Sequence, residues 1–226
     1  MTIAVGILDS GLDADLAPRA SSAFRLGADG TVETAAAAPD AIGHGNVLAR
    51  HILAAAPSAT LINAQVFSER LASAPKTIAA GLDWLVAERA RVINLSFGVR
   101  EDRAVLRHAC ARALDAGAIL VAAAPARGAL PYPAAYPGVL SVQGDARCAP
   151  GQVSRLGDPL PEFGTLARSL VALPEGSLFG GASWAASHFT GLVAAYLTAH
   201  PEGDLAQVRD HFDRIATYRG PERRAQ

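Results

Sequence analysis

Ile3-Ala4-Val5-Gly6-Ile7-Leu8-Asp9-Ser10-Gly11 is an apolar run that stops abruptly at a carboxylate and a turn. A run with no polar alternation reads as a strand buried on both faces, and Asp-Ser-Gly after it is ordinary turn chemistry. Similar runs recur at residues 60–67, 92–97, 119–123 and 139–142. Between them, Ala, Leu and charged residues fall at helical spacing over residues 77–88 and 103–116. Strand and helix alternating in this way predict an α/β protein, a mainly parallel sheet covered by helices on both faces. Two stretches break the pattern and read as surface loops: residues 21–40, rich in Ala, Gly and Thr, and residues 124–138, rich in Pro and Ala. The last strong helix is predicted to start near Ser183 and to end at Ala199, because His200-Pro201 cannot continue it.

The 226 residues are 50% hydrophobic and 18% charged, which predicts one folded domain over residues 1–226. A net charge of -1 with no basic face argues against a nucleic-acid partner. The short basic tail from about residue 218 reads as a frayed terminus. Met1 leads directly into the first strand with no export signal in sight, an expectation of a cytoplasmic protein. No apolar run is long enough to span a bilayer, so no membrane partner is expected. Cys110 and Cys148 are too few for a disulfide framework and read as reduced thiols.

Three short motifs carry chemistry. Asp9 ends the first strand at the sheet edge where open α/β proteins build their sites. In Gly43-His44-Gly45 the imidazole precedes a helical run, between glycines that let other backbone approach. Ser183, after Gly180-Gly181-Ala182, opens the last strong helix, where free amides and the helix dipole favour developing negative charge. Each motif also has an ordinary structural explanation: a turn, a surface His, and an N-cap. Together they supply the acid, base and nucleophile that acyl transfer requires, in the chain order Asp, His, Ser.

Six segments in this order resemble the subtilisin-like serine peptidases, the subtilases. They are Val5 to Asp13, Gly43 to Ala49, Ala56-Pro57-Ser58-Ala59-Thr60-Leu61, Val92 to Gly98, Tyr132 to Val139 and Gly181 to Gly191. The resemblance implies a three-layer subtilisin-like fold and a catalytic triad of Asp9, His44 and Ser183. It also implies a substrate strand at Ser96, Phe97 and Gly98, whose backbone pairs with an extended peptide. A peptide or protein substrate is the expected partner. No cofactor and no metal are expected: there is no cluster of Asp and Asn for calcium, and His51, His108, His188, His200 and His211 lack metal-ligand spacing.

The chain departs from the family in one functional place. Where the resemblance implies an oxyanion-binding Asn, the sequence runs Pro125-Ala126-Arg127-Gly128. Arg127 and Asn46 are the candidate replacements. Ala182, Ser187 and Arg50 also stand where Thr, Pro and Gly are usual in the family. The expected function is therefore a serine endopeptidase with an atypical oxyanion hole. The alternative is a subtilase scaffold that binds an extended peptide or a partner protein without cleaving it.

Overall fold

The computed structural model describes residues 2–157, 161–172 and 180–222. Among these residues ten strands form one sheet: β1 (Ala4–Asp9), β2 (Ala20–Leu26), β3 (Val32–Ala35), β4 (Thr60–Gln65), β5 (Val92–Leu95), β6 (Ile119–Ala123), β7 (Leu140–Gly144), β8 (Val153–Arg155), β9 (Phe163–Thr165) and β10 (Tyr218–Arg219). Their spatial order is β10-β8-β9-β7-β6-β5-β1-β4-β2-β3. All pairings are parallel except β2 with β3 and β8 with β9. Among the described residues five α-helices cover the sheet: α1 (His44–Ala55), α2 (Pro75–Ala87), α3 (Ala104–Asp115), α4 (Ala182–Ala199) and α5 (Leu205–Ile215).

The apolar run of β1 explains the layering. Successive side chains point to opposite faces, and both faces are buried. Val5 and Ile7 join the core with Ile52 of α1 and Phe189 and Val193 of α4. Leu8 joins the other core with Leu82 and Leu85 of α2 and Leu106 of α3. A charge on either face of β1 would be stranded in hydrocarbon, which is why the run is apolar throughout. At the far end, Phe189 stacks on Phe163 at 4.9 Å and tilts against Phe212 of α5 at 4.8 Å, tying α4 and α5 to β9.

Three expectations are corrected. Residues 21–40 hold all of β2 but its first residue, and β3, an antiparallel hairpin at the sheet edge, and are not simply a surface loop. Its Ala, Ser and Thr residues match no strong strand pattern alone; β2 is held by parallel pairing with β4, a partner far away in sequence. Ala199 does not close the last helix of the chain, because α5 follows. Asp204 caps it reciprocally with Gln207, an Asp-x-x-Gln signature legible in the sequence. The start of the basic tail is no frayed end: Tyr218 and Arg219 add to the sheet beside β8, and Thr217 donates to the Val153 carbonyl at 2.8 Å. Arg223 and Arg224 lie outside the described residues.

Cys110 and Cys148 are free and buried. Burial first, then nearby carboxylates, pushes their thiols up to about 12 and about 11, so neither supplies a thiolate nucleophile. Among the described residues no helix is long and apolar enough to cross a membrane.

Candidate active site

β1 ends at Asp9, and α1 begins at His44 directly above it. His44 Nδ1 lies 2.7 Å from Asp9 Oδ1, and both residues are buried. Asp9 Oδ1 also accepts from the Ser10 amide at 2.8 Å and the Ser10 hydroxyl at 3.1 Å. Burial works against the charged imidazolium, but the charge and hydrogen bond of Asp9, with help from Asp40, outweigh it. The His44 pKa is raised above its ordinary 6.5. A carboxylate at Nδ1 fixes the ring's orientation and leaves Nε2 as the position for proton exchange.

The glycines around His44 have specific reasons. Gly43, the N-cap, sits at φ 81°, in the left-handed region that favours glycine. A β-carbon on Gly45 would fall 2.2 Å from the Gly11 carbonyl oxygen, so the two motifs meet backbone to backbone. The Gly45 amide donates to Ser10 Oγ at 2.9 Å, closing the contact.

A supporting set lay outside the motifs. Asp40 accepts from the amides of Ile42, Gly43 and Asn46, capping α1 from the preceding loop. Gln65, the last residue of β4, donates to the Ser10 carbonyl at 2.7 Å and accepts from the Ala38 amide at 2.9 Å. An Asp three residues before Gly43 was a legible capping signal; Gln65 acts only through the pairing of β4 with β1.

The side-chain amide of Asn46 is engaged by the turn after Asp9. Its Nδ2 donates to Asp13 Oδ2 at 2.7 Å and its Oδ1 accepts from the Asp13 amide at 2.9 Å. Both ends of its amide clamp the Asp9 turn to α1. Arg127 lies on the exposed stretch after β6, beside the exposed Ala126.

Ser183 is the second residue of α4, after the N-cap Gly181 at φ 64°. Its hydroxyl donates to the Ser96 carbonyl at 3.3 Å, and Ser96 Oγ lies 3.4 Å from the Ser183 carbonyl. Asn94 Nδ2 donates to Ser96 Oγ at 2.9 Å, and Thr190 Oγ1 lies 3.0 Å from Asn94 Oδ1. This chain fastens the start of α4 to the end of β5. Helices α1 and α4 run side by side in one direction: His51 Nδ1 lies 3.1 Å from Ser187 Oγ, and Gly191 packs on the Ile52 carbonyl. Their N-termini, carrying His44 and Ser183, therefore share one end of the sheet.

Ser96 is buried, Phe97 half-buried and Gly98 exposed. A β-carbon at Gly98 would come within 2.7 Å of Pro131. Just beyond, Val99 exchanges both backbone hydrogen bonds with Tyr132, at 2.8 and 2.9 Å. Phe97 packs edge-on against Phe67 at 6.0 Å.

A second histidine cluster lies deeper between α1 and α4. His51 is fully buried, with Nε2 2.9 Å from Ser169 Oγ and its ring 4.4 Å from that of His188. Burial and His188 push His51 down to about 3, so it stays neutral at ordinary pH. It has no carboxylate partner among the described residues, and Ser187 turns its hydroxyl to the Trp184 carbonyl at 2.8 Å. This is a packing element, in contrast to the His44–Asp9 pair. No group of three or more His, Cys, Asp or Glu among the described residues is placed to hold a metal ion.

Comparison with known proteins agrees with this architecture. The chain is 28% identical to subtilisin NAT of Bacillus subtilis subsp. natto over 96% of its length and 61% of that protein. It is 27% identical to a subtilisin of Bacillus pumilus over 96% of its length and 85% of that protein. It thus spans about three fifths of the first curated relatives it matches, at 61%. Among solved structures, sphericase superposes with a TM-score of 0.72 at 20% identity, covering 92% of this chain and 81% of that one. Fervidolysin from Fervidobacterium pennivorans superposes with a TM-score of 0.65 at 23% identity, covering 92% and 38%. The subtilase family matches residues 1–225, and this chain belongs to that family.

Proposed function

We propose that this protein is a serine endopeptidase in which Ser183 is the nucleophile, His44 the general base and acid, and Asp9 the orienting carboxylate. The observation that carries the reading is the buried 2.7 Å contact between His44 and Asp9, at the sheet end where α4 presents Ser183. Ser183 rotates about χ1 from the Ser96 carbonyl toward His44. His44 Nε2 takes the hydroxyl proton as Oγ bonds to the peptide carbonyl carbon, and the C=O electron pair moves onto oxygen. His44 then returns the proton to the leaving amine as the C–N bond breaks. Water repeats the sequence on the acyl-enzyme. Asp9 stabilises the imidazolium in both halves.

The tetrahedral oxyanion is held by the Ser183 amide at the N-terminus of α4. In subtilisin, removing the side-chain oxyanion donor costs about 10²–10³ in kcat, which sets the scale of the slowing expected with Ala126 in that place. The extended substrate lies along Ser96, Phe97 and Gly98, adding a strand beside them. The same Ala126 favours a second reading, a subtilase scaffold that binds peptide without turnover. Reaction with a fluorophosphonate probe decides between them: adduct at Ser183 that disappears in Ser183→Ala supports the peptidase, and unmodified Ser183 supports the binding protein.

A further inference from the structure

The strands β6 and β7 end beside the nucleophile turn, and a cleft of about 430 Å³ opens there. Arg127, Gln143, Gly144, Asp145, Ala167 and Glu222 line it. Gly144 forms its inner wall next to α4: a β-carbon on Gly144 would lie 2.6 Å from Ala167 Cβ and 3.6 Å from the Gly181 carbonyl carbon. Gly181 stands two residues before Ser183, so a side chain next to a scissile bond at Ser183 has this cleft within reach.

The charges in the cleft are unequal in commitment. Asp145 is held by Arg147 at 2.7 Å and accepts from Ser154 Oγ at 2.6 Å. Arg147 also donates to the Gly220 carbonyl at 2.8 Å and lies over the Tyr218 ring at 5.0 Å, fixing the chain end that brings Glu222 to the cleft. The Arg147 pKa is raised by the Asp145 hydrogen bond first, with Glu222 contributing, so both carboxylates act on Arg147. Arg127 is exposed, and among the described residues no hydrogen bond or ion pair engages it. It is the cation of the cleft that a ligand meets unpaired.

We infer that Arg127 is a specificity-determining residue that selects peptides carrying an aspartate or glutamate side chain adjacent to the scissile bond. A guanidinium fork takes a carboxylate through two charge-assisted hydrogen bonds, which glutamine does not reproduce. The uncharged floor of Gly144 and Ala167 leaves room for that side chain. The inference rests on the peptidase reading above for the direction of the peptide past Ser183.

The test is a set of quenched fluorescent peptides in which Glu replaces Gln at one position at a time. The expected result is one position where Glu raises kcat/KM about tenfold, the scale of one charge-assisted contact. In Arg127→Ala the Glu-to-Gln ratio at that position falls to near one, and in Arg127→Glu the preference moves to Lys. A wild-type profile with no acidic preference overturns the inference. So does an Arg127→Ala variant in which kcat falls equally on all peptides, since that assigns Arg127 to the oxyanion. If no peptide is cleaved and the fluorophosphonate leaves Ser183 unmodified, the peptidase reading fails. The binding affinities of the same peptide pairs then decide, with equal affinity for Glu and Gln peptides overturning the role of Arg127.

Discussion

Gly45 and Gly11 are packed so closely that a β-carbon on Gly45 would lie 2.2 Å from the Gly11 carbonyl oxygen. This contact joins the turn after Asp9 to the first turn of α1, and it holds the His44–Asp9 distance at 2.7 Å. Backbone cannot move away without breaking the Gly45–Ser10 hydrogen bond. Gly45→Ala is therefore expected to destabilise the fold by about 1–3 kcal/mol, as overpacking does. Thermal unfolding and peptidase assays on the same preparation should both show the loss, whereas unchanged stability and activity would mean the two turns are less tightly coupled than their packing implies.

Activity should vanish in Ser183→Ala and His44→Ala and be lowered, with a residue remaining, in Asp9→Asn. Nucleophile and base take part in bond making, while the carboxylate orients and stabilises the ring. Single-turnover kinetics on one peptide measure all three; hydrolysis by Ser183→Ala equal to wild type would identify another nucleophile.

The acid limb of the pH profile follows from the raised His44 pKa. The base must be neutral, and its conjugate acid is stabilised by Asp9, so kcat/KM should rise with pH through a midpoint above 6.5. Asp9→Asn removes the first favourable charge and should move that midpoint down. A midpoint at or below the ordinary histidine value in the wild type would contradict the arrangement.

Ala126→Asn is expected to raise kcat, up to about 10²-fold, with little change in KM, because an added amide acts on the oxyanion more than on the ground-state carbonyl. A grafted amide lacks a native surrounding, so the gain should fall short of that ceiling. An unchanged kcat, with the fold intact by circular dichroism, would place the oxyanion elsewhere.

Acid stability should be set partly by His51. Its folded pKa is pushed down to about 3 from 6.5, so below 6.5 the unfolded chain binds the proton and the folded chain does not. Stability from this group is complete above the unfolded value and is lost as pH falls from 6.5 toward 3, on the order of a few kcal/mol in all. His188, shifted down by its own burial, acts in the same direction. Among the described residues the groups in contact with the pair are uncharged: Ser169, Ser187, Trp184, the Leu166 carbonyl and the Leu170 amide. Urea unfolding at a series of pH values should show a shallower acid decline in His51→Gln than in wild type.

Much of the architecture was legible in the chain itself. Residues that are buried on both faces of a parallel strand must be continuously apolar, so β1, β4, β5 and β6 announce themselves, and Pro201 marks the end of α4 for a local steric reason. Asp9, His44 and Ser183 stood out because each sits where an element starts or stops, and their order supplied the chemistry. The hairpin β2–β3 did not stand out, since its strands owe their existence to β4 and to each other rather than to an apolar pattern. The short strands β8, β9 and β10 were hidden for the same reason.

The tertiary structure alone decided what the polar residues around the site do. By type and position alone Asn46 was an oxyanion candidate; the approach of Asp13 from another turn engages both ends of its amide. Arg127 was the other oxyanion candidate, and its place on the rim of the cleft, beside carboxylates that act on Arg147, is set by strands and a chain end distant in sequence. His44 and His51 differ little as residues on one helix. One meets a carboxylate and is raised, the other meets a second histidine in a dry interface and is lowered. Local sequence determines which elements form because backbone preference and apolar periodicity act over neighbouring residues. Charge state and hydrogen-bond partner depend on what the fold brings within a few ångströms, and that is settled only when distant strands pair.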